Sequence, residues 1–446
     1  MAYFFNTPDD QRSMLAAIGA DSVSELFDSI PSSLRLNREL SIPPALSELE
    51  LSQHLSTLAS RNQCPGQKIC FLGGGSYDHF IPAAVDALAS RGEFYTSYTP
   101  YQPEVAQGNL QAMFEYQSLI CQLTGMDVSN ASLYDGGSAA AEAVLLAMSV
   151  TKRPRKVVCS SSVHPEYRQI IETYFTCIGA ELVTIDAPRG TANLEAIANA
   201  IDQETACLLL QSPNFFGGIE DLSAAAKIAH SAGALLAVSV DPISLGLLKR
   251  PGDLGADVVV AEGQSLGTPM QFGGPYLGIM ACREQFLRRL PGRIAGQTVD
   301  RRGRRCWVLT LQTREQHIRR ERATSNICTN QGLFALRASI YLSLLGPQGL
   351  QETAELCLRK SRYLLQRLTA HPRFELAFSA PTFKEFVVRD RHDQVDPLLE
   401  RALSEGYLAG LPLGRWYPSL GNCFLITTTE KRTRSEIDGL IATLTR

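Results

Sequence analysis

Gly136, Gly137 and Ser138 open an alanine-rich stretch, an order that suits an oxyanion. A glycine turn running into a helix presents unpaired N–H groups and the positive end of the helix dipole, as phosphate binding requires. The same turn can be no more than a tight connection, and Asp135 sets a carboxylate where it competes for that positive end. His164 precedes Pro165, which suits the first turn of a helix, so its ring either stacks on a flat ligand or caps and packs. Asp241 closes the apolar run 233–241. An acid at a strand end can pair with a protonated ring nitrogen, or it can start a turn, since Asp-Pro favours one. Tyr95, Tyr98 and Tyr101, with Gln102 and Glu104, follow a glycine-rich stretch, 73–79, that ends in His79. Tyrosine joins a large apolar ring to one polar tip, which suits a wall facing a neighbour's site or a loop packed within its own subunit. Twelve arginines fall between positions 283 and 322. Residues 300–305 read as a hairpin turn whose four arginines point into solvent. Arg314, Arg319 and Arg320 carry the planar fork that binds carboxylates or an acidic partner, the alternative being a solvated basic face.

These residues need a scaffold, and the apolar pattern supplies one. Short β-branched runs at 156–159, 181–185, 206–211, 234–241, 257–261 and 276–281 alternate with helical stretches. Runs this apolar, separated by helices, predict a mostly parallel sheet covered on both faces. Chemistry is then expected in the loops at the carboxyl ends of the strands. Residues 1–65 predict an arm of short helices of the kind that wraps a neighbouring subunit, with Asp9 or Asp10 capping the first. Residues 66–330 form the large α/β part. Residues 331–446 predict a smaller α+β domain, with helices at 332–345 and 351–368, strands at 374–378, 386–389 and 423–428, and a last helix from Ser435. The 446 residues are 45% hydrophobic and 20% charged, as in ordinary globular chains. A net charge of −3 offers no global attraction to nucleic acid or an anionic membrane. No apolar run approaches the roughly 20 residues of a membrane span. Eleven scattered cysteines, with no zinc-type spacing, and acids near the N-terminus point to a reduced, cytoplasmic protein with no metal site.

Residues 255–275 are laid out like the lysine-bearing segment of a pyridoxal-phosphate (PLP) enzyme and contain no lysine. Together with the glycine loop, His164-Pro165, residues 212–214, Asp241 and the 250–257 turn, they resemble a fold-type-I PLP-dependent transferase. Within that superfamily, residues 94–108, 130–143 and 311–329 closely resemble the glycine cleavage system P-protein family, and the likeness covers essentially the whole chain. In length the chain is similar to the first, alpha, subunit of the family's two-chain form.

The resemblance implies an enzyme, glycine dehydrogenase (aminomethyl-transferring), that decarboxylates glycine with PLP and passes the aminomethyl group to the lipoyl arm of H-protein. It implies a beta subunit that carries the Schiff-base lysine and most of the cofactor, with functional links to the T- and L-proteins. Aligning through residues 255–257 puts Ser265 at the lysine position; counting back from 273–275 puts Gln264 there. Counting from 250–253 places the ring-pairing acid near Val238, three residues before Asp241. Neither a hydroxyl nor an amide forms an imine. Gly136, Gly137, Ser138, His164 and Asp241 are thus expected to be remnants of a cofactor site. Tyr95, Tyr98, Tyr101, Gln102, His79, Arg314, Arg319 and Arg320 are the expected pocket-wall or interface residues. Two rivals remain: a stand-alone PLP enzyme using Lys152, Lys156, Lys227 or Lys249, and a non-enzymatic scaffold.

Overall fold

The computed structural model describes residues 6–446, so the first five residues of the expected arm lie outside it. The chain divides into two compact units, residues 1–62 and 63–446. Within the first, a helix spans Pro8–Ile18. Its cap is Thr7, not Asp9 or Asp10, because Pro8 fits the first helical position and sets the cap at the residue before it. Asp10 completes a reciprocal capping box with Thr7. A second helix, Glu48–Ala59, is capped in the same way by Ser47 and Glu50.

The larger unit is built on a seven-stranded sheet. In spatial order its strands are Val128–Ser129, Gly278–Cys282, Val258–Glu262, Leu235–Val240, Thr205–Ser212, Lys156–Ser160 and Glu181–Ile185. Gly278–Cys282 runs antiparallel to both of its neighbours, while the other pairs are parallel. Side chains alternate across this sheet with period two, and both faces are buried. Leu208, Leu210, Val238 and Val240 enter one core, and Cys207, Leu209, Ala237 and Val260 enter the other. Burying each such Val or Leu contributes roughly 1.5–3 kcal/mol. The helix Gly136–Thr151 lies against the second face; Ala139, Ala140, Ala143 and Ala147 are fully buried, and their small side chains let it approach closely.

The C-terminal lobe has a four-stranded antiparallel sheet in the order Phe374–Leu376, Glu385–Asp390, Cys423–Thr427, Leu411–Pro412. Pro412 sits on an edge strand, where its missing N–H does least harm. The two expected helices form one element, Gly332–Thr369, broken at Gly346 (φ 61°, ψ −176°) just before Pro347. Ile69–Cys70 pairs in parallel with Tyr407–Leu408, and Phe71 is buried in this lobe's core. The chain therefore contributes to the small lobe before it builds the large sheet, an exchange that the expected boundary at residue 66 did not include. The hairpin Ile294–Val299 with Arg305–Thr310 leaves the four arginines of its turn exposed. No helix among the described residues is long and apolar enough to cross a membrane.

Candidate functional site

Three of the candidate residues follow the carboxyl ends of parallel strands, the usual seat of chemistry in such a sheet. His164 follows Lys156–Ser160, Asp241 follows Leu235–Val240, and Gln264 follows Val258–Glu262. Residues 74–79 thread among them, and each candidate is already engaged by this chain's own atoms.

Gln264 is buried and its amide is saturated. Its Oε1 accepts the N–H of Tyr77 at 2.8 Å, while Nε2 donates to the carbonyls of Tyr77 at 3.0 Å and Thr268 at 2.8 Å. Ser265 is buried as well, and its Oγ has no partner.

The helix start at Gly136 is occupied by two carboxyl side chains. Asp135 accepts the N–H of Ser138 at 2.7 Å, and Glu262 accepts that of Gly136 at 2.9 Å. Glu262 also takes the N–H groups of Gln264 (2.9 Å) and Leu277 (3.0 Å). Burial pushes its carboxyl up to about 8, against those three donors, which favour the charged form. A side chain at Gly136 or Gly137 would collide with Tyr167 or Ile170, so the loop has no spare room.

His164 acts as the helix cap. Its Nδ1 accepts the N–H of Glu166 at 3.2 Å, which leaves Nε2 as the donor to the carbonyl of Gly74 at 2.7 Å. Burial lowers its pKa and favours the neutral ring. One face is covered by Tyr167, stacked at 4.5 Å, and Phe215 meets the ring edge-on at 4.8 Å.

Asp241 is buried and paired with Lys384 at 2.8 Å; its other oxygen accepts the N–H of Ile243 at 3.1 Å. The Lys384 ammonium is 1% exposed and sits 3.4 Å from the centre of the Tyr77 ring. It also lies 2.9 Å from Nε2 of His79. An ammonium only donates, so Nε2 accepts and the Nδ1–H of His79 faces Glu430 at 2.6 Å. Tyr77 in turn donates to Glu385, which also binds Gly74 and Thr427. His79 is thus a core residue linking the lobes, not part of an outward wall, because both ring nitrogens are spent inside the chain. His79, Cys357 and Glu430 bring possible ligand atoms within 4.8 Å of one another, but the adjacent Lys384 ammonium would oppose a cation there.

The remaining candidates divide by exposure. Tyr95, Tyr98, Tyr101 and Gln102 are exposed, Tyr98 at 93%. Arg314 is half-buried and donates to the carbonyls of Leu290 and Gly292, so its fork is used in holding a turn. Arg319 and Arg320 are exposed. Lys156 is tied to Ala200 and Asp202, and Lys249 is exposed. Sequence reasoning missed Lys384, Tyr77 and Glu385: Lys384 meets Asp241, Tyr77 meets Gln264, and Glu385 binds Tyr77 and Gly74, all contacts between segments far apart in the sequence. Tyr167 had a local signal: it lies one helical turn from His164.

A PLP molecule does not fit these residues. Of the two positions expected for the lysine, Gln264 bears a saturated amide and Ser265 a hydroxyl; the helix N-terminus is capped by two carboxyl side chains, the His164 face is covered, and the acid is paired with a lysine. No catalytic step on PLP can be assigned to this chain's own atoms.

The model of the family described as glycine cleavage system P-protein matches residues 1–444. A probable glycine dehydrogenase (decarboxylating) subunit 1 from Desulforamulus reducens is 53% identical, over 100% of this chain and 99% of that protein. The same-named protein of Moorella thermoacetica is 50% identical over equal shares. A solved glycine decarboxylase (P-protein) of the glycine cleavage system, in inhibitor-bound form, has a TM-score of 0.92 at 42% identity, covering 100% of this chain and 99% of that one. A sphingosine-1-phosphate lyase of Burkholderia pseudomallei shares the fold alone, at TM-score 0.66, 14% identity and 93% of each chain.

Proposed function

The chain belongs to the glycine cleavage system P-protein family, and from that premise we propose that it is the subunit of a two-chain glycine dehydrogenase (decarboxylating) that does not hold the cofactor. A lysine-bearing beta subunit binds PLP and glycine, and the aminomethyl group leaves on lipoylated H-protein, with the T- and L-proteins acting downstream. The observation that carries this reading is the filled site: Lys384 occupies Asp241, and Gln264 or Ser265 stands where an amine is needed. What the chain offers outward is the exposed stretch with Tyr95, Tyr98, Tyr101 and Gln102, which we assign to the wall of the partner's pocket. Cytoplasmic residence belongs to the same proposal and rests on eleven free cysteines.

Two measurements test it. The chain alone, treated with PLP and borohydride, is expected to gain no label; a labelled lysine, Lys384 above all, would overturn the assignment. Mixed with a lysine-bearing subunit, it is expected to restore glycine-dependent release of carbon dioxide. In that complex, Tyr98→Phe or Tyr95→Phe should lower kcat/KM about tenfold, the worth of one lost hydrogen bond. Unchanged kinetics for Tyr95→Phe, Tyr98→Phe and Tyr101→Phe alike would remove these tyrosines from the pocket.

A further inference from the structure

Residues 283–322 hold twelve arginines, no lysine and four acids, in a chain whose net charge is −3. Some of these arginines are structural: Arg283 donates to the carbonyls of Ala256, Gly125 and Gly252, and Arg293 is buried. Others converge. A cavity of about 440 Å³ in the larger unit is lined by Arg288, Arg289, Leu311, Thr313, Arg314 and Arg319, and by no acid. Arg288, Arg289, Thr313 and Arg319 are exposed, and among the described residues none of their side chains has a hydrogen-bond or ion-pair partner. Arg314 is half-buried, and its terminal nitrogens donate to the carbonyls of Leu290 and Gly292. It thereby fastens the 311–319 segment to the one that carries Arg288 and Arg289, while its Nε stays buried without a partner. Glu315, beside it in the chain, is buried and offsets at most the charge of Arg314. Three free guanidiniums thus share one cavity with no counter-charge in its wall.

We propose that this cavity binds a small polyanion with adjacent oxyanion groups, a diphosphate or a tricarboxylate. Like charges gathered in a concave wall repel one another and concentrate opposite charge there. Each guanidinium fork grips two oxygens, so three forks outnumber what a single carboxylate supplies. Thr313 adds a free hydroxyl, and a concavity of this size suits a small molecule better than a flat protein face. Leu311 in its wall sits at φ 54°, ψ 27°, a left-handed conformation rare for leucine, and strained residues of this kind cluster at ligand sites. Binding needs only this chain's own atoms and is independent of the two-chain reading.

The full chain is dialysed to equilibrium against inorganic pyrophosphate, citrate and, for comparison, inorganic phosphate, at roughly 0.15 M salt to screen diffuse attraction. One pyrophosphate or citrate per chain is expected, bound at least about tenfold more tightly than phosphate, and the tighter of the two identifies the ligand's oxyanion groups. Arg288→Gln and Arg319→Gln each remove one fork from an exposed position, where the fold does not rest on it, and should weaken binding about tenfold or more. Arg301→Gln and Arg302→Gln remove the same charge from the exposed hairpin turn, outside the cavity, and should leave binding unchanged. The site is overturned if neither polyanion saturates, if phosphate binds as tightly, or if the hairpin variants weaken binding as much as the cavity variants, which is the behaviour of a diffuse basic face.

Discussion

Lys384 and Asp241 form a buried ion pair, and such a pair has an asymmetric energetic signature. Removing one partner strands the other as an uncompensated charge and costs about 3–5 kcal/mol, whereas neutralising both is far milder. Lys384→Met should therefore lower the urea midpoint strongly, and adding Asp241→Asn should recover more than half of the loss. A Lys384→Met variant within about 1 kcal/mol of the parent would show that the pair is not what fills this site. At this scale the sequence was informative about absence and poor on replacement. The missing amine at 264–265 was legible because it is a local fact about one loop. Its substitute was not, since Lys384 reaches Asp241 and His79 from the other lobe and no spacing in the chain announces the contact. Asp135 could be read as a competitor for the helix start, and it does cap Ser138; Glu262, which caps Gly136 across the sheet, carried no such signal.

The helix Gly136–Thr151 shows what that second cap means for the element. Burial raises the Glu262 carboxyl from 4.5 to about 8, so the folded protein holds its proton more tightly than the unfolded chain does. The resulting stabilisation is fully present below about pH 4.5 and is lost as pH rises through 8. It amounts to about 5 kcal/mol at most. Chemical denaturation between pH 5 and 8.5, run on the parent and on Glu262→Gln, should give a falling stability curve for the first and a flatter one for the second. Parallel curves would refute the shifted carboxyl, whatever the constant offset between them. Elements of this size were mostly legible, because five-residue apolar runs and long amphipathic helices carry a period that can be read. The two-residue strands Ile69–Cys70 and Val128–Ser129 were not, since two residues have no period at all.

At the scale of the whole molecule, the larger unit behaves as one body because its lobes are joined through backbone as well as side chains. Gly218 bridges to Thr382, and the N–H of Ile219 donates to the carbonyl of Pro381 at 2.9 Å. Gly217 lies at φ 84°, and a Cβ there would strike the carbonyl oxygen of Glu385, a backbone atom that cannot yield. Only glycine allows the two sheets to approach at that point. The chain has two tryptophans, and they report on different parts. Trp307 lies in the hairpin beside Arg305, while Trp416 belongs to the C-terminal lobe and meets Phe215 of the large part at 5.8 Å. With Trp416→Phe one reads the first region alone, and with Trp307→Phe the second. The two fluorescence transitions in urea should coincide in midpoint and slope, as in a single cooperative unit. Gly217→Ala, in either background, should lower both midpoints together by at least the 1–3 kcal/mol of a strained backbone position. Separate midpoints, or a loss confined to the Trp416 signal, would mean that the lobes fold independently. The filled site would then be a contact between two bodies, not the interior of one.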